Sequence, residues 1–415
     1  MALAALVAIL MLGLGLRLHE AWDGRAPVYD AAAYAAIAEN LDRGDGFTVG
    51  PRATQPSSNY SPGLPLFVAG LYGVTGGEHE RFARVVLALI GALSVLFAYL
   101  IGRRLAGVVP ALIGALVVAI YPALLEYQGM LMSEPLAATL LSGGVLAVLW
   151  AWDGGRWRWL LPGALFGALA LVRPEYLGVA VLVAIVIFLR HAREWRPSLM
   201  RAAIFLLAAF VVIAPWTLRN AVALDRFVPI STGGGQVLFA GTYLPSDGDP
   251  EKVGGEVISE NPDLFQPQDA GRLRLEQILA RLAAAEYPEM ETDKALSKLG
   301  KEQLWDDVSE EPVEYAGFVA TKVWRIWAHG PRDVMREPVW EVLHWLLVAS
   351  GLLGLAVLAW QRRWEALLFG TIFLSITLVS ALLVASPRRV LVLIPLLSSL
   401  AAVSIAWARD SLSAP

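Results

Sequence analysis

The sequence predicts an all-α integral membrane protein with about ten transmembrane helices, and three observations carry that expectation. Of its 415 residues, 57% are apolar and 17% charged, against about 25% charged in ordinary soluble domains. Apolar runs long enough to cross a bilayer core, about 20 residues each, recur along the chain between short charged joints. Arginines gather in alternate joints, the pattern of loops retained on the cytoplasmic side. The chain has no cysteine, which excludes disulfides, thiolate metal sites and cysteine nucleophiles. A formal net charge of −4 provides no basic field for DNA or RNA.

Taken in order, the spans are read at 2–18, 82–101, 105–125, 134–151, 158–172, 175–190, 200–218, 339–360, 364–385 and 389–408. The first lacks a basic leader and is followed by no small-residue cleavage site, so it is expected to be an uncleaved span rather than a signal peptide. Arg103 and Arg104, Arg156 and Arg158, Arg190, Arg193, Arg196 and Arg201, and Arg362 and Arg363 then share the cytoplasmic side with both termini. Arg173, Arg388 and Arg389 are the exceptions, falling on the opposite side. Three regions result: an N-terminal membrane module over 1–218 that includes an outer loop at 19–81, an extracytoplasmic cap over 219–338, and a C-terminal three-helix module over 339–415.

Within the outer loop, Asp30 is placed as an N-cap ahead of Tyr34, Ile37, Ala38 and Leu41, which share one face of an amphipathic helix expected to lie on the membrane. Pro and Gly around Tyr60 then mark a turn into an apolar interfacial segment. The 219–338 segment is acidic and carries all five lysines, Lys252, Lys294, Lys298, Lys301 and Lys322. Helices are expected there at about 270–286, 291–307 and 312–328, forming a small cap on the membrane rather than a large independent domain.

Ionisable residues are absent from the span centres. Glu126, Glu134, Arg173, Glu175, Glu341, His344, Arg388 and Arg389 all fall at span ends on the outer side. A pump or secondary transporter would place charges at the midplane or show repeated broken helices, and neither pattern is present. Singly, these residues have bland readings: Asp30 as a cap, Glu134 as a complement to a helix dipole, Trp216 as part of an aromatic belt. Together they set an aspartate, a glutamate and several arginines above an apolar bundle, a set suited to holding a lipid-linked phosphate. There is no P-loop, HExxH or strand-linked GxGxxG motif. Asp247-Gly248-Asp249 lies in a Ser/Gly/Asp/Pro turn and is read as turn chemistry rather than a metal site; Gly233 to Gly235 read as a flexible turn.

YDAAAYAAIAENL, YSPGLPLFVAGLYGVTG, SEPL, ALVRPEYL, APWTLRNAVALDRFVPIST and SPRRVLVLIPLLSSLAA occur in an order and spacing that resemble bacterial GT-C type membrane glycosyltransferases. That group, glycosyltransferase family 39-like, contains protein O-mannosyltransferases and aminoarabinose transferases. The resemblance implies sugar transfer from a polyprenyl-phosphate donor to a hydroxyl of an envelope glycan, lipid or protein, outside the cytoplasm and with inversion. It further implies Asp30 as general base, Arg389, Arg388, Arg173 and Arg219 as holders of the donor phosphate, and Glu134, Tyr60 and Tyr34 as substrate contacts. The family's acidic pair is here Asp30 followed by Ala31, which counts against a divalent metal in that loop, and no cofactor is expected. The expected partners are the donor, the envelope acceptor and membrane lipids. The alternative readings are a lipid-sugar flippase or transporter and a noncatalytic envelope scaffold.

Overall fold

The structure, a computed structural model, describes all residues except 25, 51, 52, 54, 329, 414 and 415. Among the described residues it is helical throughout, save for an isolated β-bridge between Thr48 and Pro56. The helices are α1 (Ala2–Trp22), α2 (Asp30–Asp42), α3 (Gly63–Thr75), α4 (Glu80–Ala106), α5 (Val108–Ile120), α6 (Pro122–Glu126), α7 (Ser133–Ala151), α8 (Leu160–Val172), α9 (Tyr176–Arg190) and α10 (Trp195–Leu224). There follow α11 (Gly234–Thr242), α12 (Val253–Glu260), α13 (Leu275–Glu286), α14 (Thr292–Glu310), α15 (Pro312–Ala328), α16 (Pro338–Trp360), α17 (Trp364–Leu382), α18 (Arg388–Leu391) and α19 (Ile394–Leu412). They form two compact units. The first comprises Met1–Ile230, Gly330–Ser375 and Val390–Pro415; the second comprises Ser231–His329 and Ile376–Arg389.

By length and composition, six helical segments suffice to cross a membrane among the described residues: α1, α4, α7, Ala192–Leu224, α16 and α17. A seventh span results if α5 and the segment Pro122–Gly129, bent by 49° at their break, are counted as one. The protein is therefore a multi-pass membrane protein, with fewer full-length spans than apolar runs. The physical reasons are local. Pro122 holds Tyr121 extended, at ψ 113, and ends α5. Pro174 does the same to Arg173, at φ −144 and ψ 101, so α8 and α9 stop at 13 and 15 residues. Arg409 and Asp410 place charge in the last turns of α19.

In the first unit, close helix approach is permitted by small residues rather than driven by polarity. A Cβ at Gly163 would collide with the carbonyl oxygen of Phe205, and one at Gly354 with that of Leu400, so α8 packs on α10 and α16 on α19 backbone to backbone. The basic joints meet at one end of this unit. Arg104 pairs with Asp153 at 2.6 Å, Arg363 donates to the carbonyl of Leu105 at 3.2 Å, and Arg190 stacks over Trp152 at 4.3 Å. The opposite end carries α2, α3 and the start of α7, and is called the loop end below.

One departure from expectation concerns α1. It continues to Trp22, which leaves Arg17 inside the helix and 1% exposed, so a guanidinium is buried in the bundle after all. Arg17 donates to the carbonyls of Gly13, Val118 and Ala119 at 3.0, 3.0 and 3.2 Å. Two of these belong to the carbonyl end of α5, where positive charge complements the helix dipole.

The second unit has a hydrophobic core of its own, built from Phe239, Val253, Val257, Phe265, Leu279, Leu282 and Leu296. Its helices α13, α14 and α15 lie where the sequence places them, but the segment is more than a polar insertion. Gly233 to Gly235 are not a loose turn. Gly233 adopts φ 93 at the start of α11, and Gly235 lies so close to α14 that a Cβ would collide with the Asp293 carbonyl.

Candidate active site

At the loop end of the first unit, α2 begins one residue earlier than a capping role for Asp30 requires. Tyr29 occupies the N-cap at φ 51 and ψ −123, no side chain caps the helix, and Asp30 stands half-buried in the first turn. Positive-φ backbone at a tyrosine is strained, and it sets the direction in which α2 starts. The apolar face of α2 is covered by protein rather than resting on lipid. Ile37 joins Phe47 and Trp216 in a core that also takes in Tyr60 and Leu171. Tyr34 meets Tyr60 edge-on, with ring centroids 5.7 Å apart.

Arg219 closes the same assembly from α10. Its guanidinium donates to the carbonyls of Ser57 at 2.8 Å and Phe47 at 3.1 Å and stacks over Trp216 at 4.9 Å. This fixes the loop between α2 and α3 to the end of α10. Arg173 follows Val172, the last residue of α8. It donates from Nη1 to Glu134 at 3.2 Å and from Nε to Glu175 at 2.8 Å. Glu134 is completely buried and Arg173 is 13% exposed, so this is an interior ion pair joining α7 to the break between α8 and α9.

The first unit also holds an apolar cavity of about 920 Å³, at the upper end of the range for ligand pockets, about 300–1,000 Å³. Its lining includes Gly63, Leu136, Val172, Phe97, Leu161 and Trp150. Leu136 is two residues beyond Glu134 and Val172 immediately precedes Arg173, so one end of the cavity lies near the ion pair. Along α7 the lining continues to Trp150, near the basic end. The helix from Leu136 to Trp150 rises about 21 Å, most of the thickness of a hydrocarbon core, with Thr139 the polar side chain on the way.

The second unit contains Arg388 and Arg389, both half-buried in α18. The Arg389 guanidinium turns back to donate to the carbonyl of Val384. Lys322 is a residue to which sequence patterning assigns no role beyond its place among the lysines of the cap. It is 1% exposed, donates from Nζ to the Gly241 carbonyl at 2.6 Å and lies over the Phe318 ring at 4.8 Å. Burial, with the positive charge of Arg389 adding to it, lowers its pKa to about 8. The signal that could find it is the helical register: Tyr315, Phe318, Lys322 and Ile326 form the buried stripe of α15, and a lysine there interrupts an apolar face.

Asp247 and Asp249 both pair with Arg325, at 3.1 and 3.3 Å, and Asp247 and Gly248 adopt φ 52 and φ 70, as turn chemistry requires. Glu126 pairs with Arg332, and His344 meets the Tyr121 hydroxyl at 2.9 Å. Among the described residues no group of three or more histidines and carboxylates is placed to hold a metal ion. Asp30 is followed by the buried Ala31, so the first loop does not fit a two-carboxylate metal site, and no step below passes through one.

The family model described as dolichyl-phosphate-mannose-protein mannosyltransferase matches residues 59–218. That stretch contains Tyr60, Glu134 and Arg173 and stops just short of Arg219. No curated protein matches the chain in sequence. Among solved structures, the chain is similar to the archaeal oligosaccharyltransferase AglB from Archaeoglobus fulgidus, solved with an inhibitory peptide and a dolichol-phosphate. There the TM-score is 0.60 at 16% identity, over 99% of this chain and 50% of that one. The apo form of the Archaeoglobus fulgidus oligosaccharyltransferase gives a TM-score of 0.59 at 17% identity, over 99% and 51%. ArnT from Cupriavidus metallidurans bound to undecaprenyl phosphate gives 0.46 at 15% identity, over 98% and 78%. The chain spans about half the length of the oligosaccharyltransferase it matches. The chain thus shares the fold of the archaeal oligosaccharyltransferase over nearly its whole length.

Proposed function

We propose that the protein transfers a sugar from a polyprenyl-phosphate-linked donor to a hydroxyl of an envelope glycan, lipid or protein, on the extracytoplasmic face of the membrane and with inversion at the anomeric carbon. One observation carries this reading: the buried Glu134–Arg173–Glu175 cluster lies near one end of an apolar cavity running along α7. A charged site over a hydrocarbon-lined cavity suits a substrate with an ionic head and a long apolar tail. The dolichol-phosphate in the AglB structure and the mannosyltransferase family model over 59–218 support the same substrate class.

In this mechanism Asp30 accepts the proton of the acceptor hydroxyl as that oxygen attacks the anomeric carbon, a contribution of roughly 10² to 10⁴ in rate. The candidates to hold the donor phosphate as it departs are Arg389, Arg388, Arg173 and Arg219, in that order. Arg173 is held by two carboxylates and Arg219 by two carbonyls. Glu134 orients Arg173, while Tyr34 and Tyr60 provide aromatic surface for the substrate. Purified protein in lipid nanodiscs, given labelled polyprenyl-phosphate sugars and an envelope extract, should move label to an acceptor. Translocation of the labelled lipid without transfer would replace this reading with a flippase.

A further inference from the structure

We propose that the C-terminal half of α15 borders the bilayer leaflet in which α17 ends and presents Trp324 to its lipids, anchoring the second unit at the lipid–water boundary. The partner is the bilayer itself. The inference rests on the geometry of this unit and is independent of the transfer reaction.

Tyr315, Phe318, Lys322 and Ile326 form the buried stripe of α15. Half a turn round, at spacings of four, three and four residues, Val313, Gly317, Ala320 and Trp324 form an exposed strip that carries no charge. Trp324 is 61% exposed, and a Cβ added at Gly317 would meet open space. Apart from the buried Lys322, the charges of the helix are Glu314 and Arg325. Each follows a residue of the strip directly, about 100° round the axis, so they share one flank, where Arg325 pairs with Asp247 and Asp249. Charge confined to one flank, beside an exposed apolar strip ending in tryptophan, is the pattern of a helix at a membrane interface rather than of one surrounded by water.

Two contacts within the unit set the height of that strip. Trp327 donates from Nε1 to Thr377 Oγ1 of α17 at 3.2 Å. Lys322 donates to the Gly241 carbonyl at 2.6 Å, and Gly241 packs so tightly on the residue after α17 that a Cβ would collide with the Leu383 carbonyl carbon. The later residue of α15 thus meets the earlier residue of the 377–383 segment, so the two run antiparallel. The ties are about 7.5 Å apart along α15 and about 9 Å apart along the other segment, and Trp324 falls between them. α17 is long and apolar enough to cross a membrane, and its residues 376–382 belong to this unit.

Trp324 is therefore level with the last turns of a span, the height at which aromatic belts gather. Over 376–382 the exposed side chains are Leu378 and Leu382, a surface that acyl chains cover, and the strip of α15 continues that apolar surface at the same height. The C-terminal turn of α15 reaches deepest. Ile326 and Ala328 are fully buried there, so the carbonyl end of the helix is shielded by protein, as a hydrocarbon environment requires.

The chain has no cysteine, so a single introduced cysteine reports one position. Full-length Trp324→Cys, Ala320→Cys, Leu378→Cys and Lys301→Cys are spin-labelled and reconstituted in phosphatidylcholine nanodiscs. Electron paramagnetic resonance then compares collisions with oxygen, which concentrates in lipid, and with a water-soluble nickel chelate. Leu378→Cys is the lipid reference and Lys301→Cys the water reference. The label at 324 should favour oxygen over the chelate severalfold more than the label at 301, and the label at 320, one turn higher, should fall between the references. Ala320→Cys replaces a small exposed side chain and decides the matter if Trp324→Cys does not fold. Chelate accessibility equal to that at 301 overturns the proposal in favour of water or a soluble partner. Low collision with both reagents, with spin–spin broadening between labels, overturns it in favour of a second copy of the chain.

Discussion

Arg173 in the first unit lies between the carboxylates of Glu134 and Glu175, whereas Lys322 in the second bonds a neutral carbonyl and lies over the Phe318 ring. Arg219 is a third case, held by carbonyls and aromatic faces. The difference lies in how each buried charge is met: by acids at Arg173, by carbonyls and aromatic faces at Arg219, and by a carbonyl and an aromatic ring at Lys322. A buried arginine whose charge is already met by acids gains little from a phosphate and would first have to give up its partners.

The comparison breaks most visibly if Arg173 is dispensable. Arg173→Met takes the guanidinium away from Glu134, which is completely buried, and losing one member of a buried pair costs about 3–5 kcal/mol. Thermal unfolding should show a large drop that Glu134→Gln in the same chain partly restores. A phosphate-binding role alone predicts the opposite: full stability and lost donor affinity.

Next in size is Asp30→Asn. The swap is nearly isosteric and preserves hydrogen bonding, and since Tyr29 rather than Asp30 occupies the N-cap, stability should be unchanged. Turnover should fall by roughly 10² or more, about 2.7 kcal/mol in barrier. Near-normal turnover measured with saturating donor would transfer the base role to Glu134. Arg389→Ala should weaken donor binding by about 1.5–3 kcal/mol, and Arg389→Lys should recover only part of it, because a point charge does not replace a planar fork. Equal affinity of parent and both variants for farnesyl phosphate would pass the phosphate role to Arg173 or Arg219.

Some of this is legible in the sequence, and the rest is hidden for identifiable reasons. Helices α13 to α15 follow from apolar periodicity broken by Pro and Gly, and they lie within a few residues of expectation. Asp30, Tyr34 and Tyr60 fall at one end of one unit because short elements close in sequence carry them. Full-length spans are fewer than apolar runs because hydropathy counts apolar residues without seeing that Pro122 and Pro174 interrupt the helices. The Glu134–Arg173 pair joins positions 39 apart, and nothing in local pattern links them. Arg17 reads as a span end only when α1 is drawn too short. Lys322 becomes readable once the register of α15 is laid against its buried face.

The smallest test concerns whether excess acid carries a measurable cost at the loop end. Glu39 on α2 has its pKa raised by burial, and further by a hydrogen bond and charge repulsion from Glu78. A carboxyl whose pKa is raised by folding contributes stability below its unfolded value, near 4.5, and loses it as pH climbs through the folded value. The parent should therefore lose a little stability as pH rises above that value. Glu78→Gln removes the repelling charge, and at these partly exposed positions the gain near neutral pH should be modest, about 0.2–1 kcal/mol. Melting temperatures of parent and variant should converge at acid pH and separate slightly toward pH 7, with the variant higher. Parallel curves would mean that the two carboxylates are screened from each other.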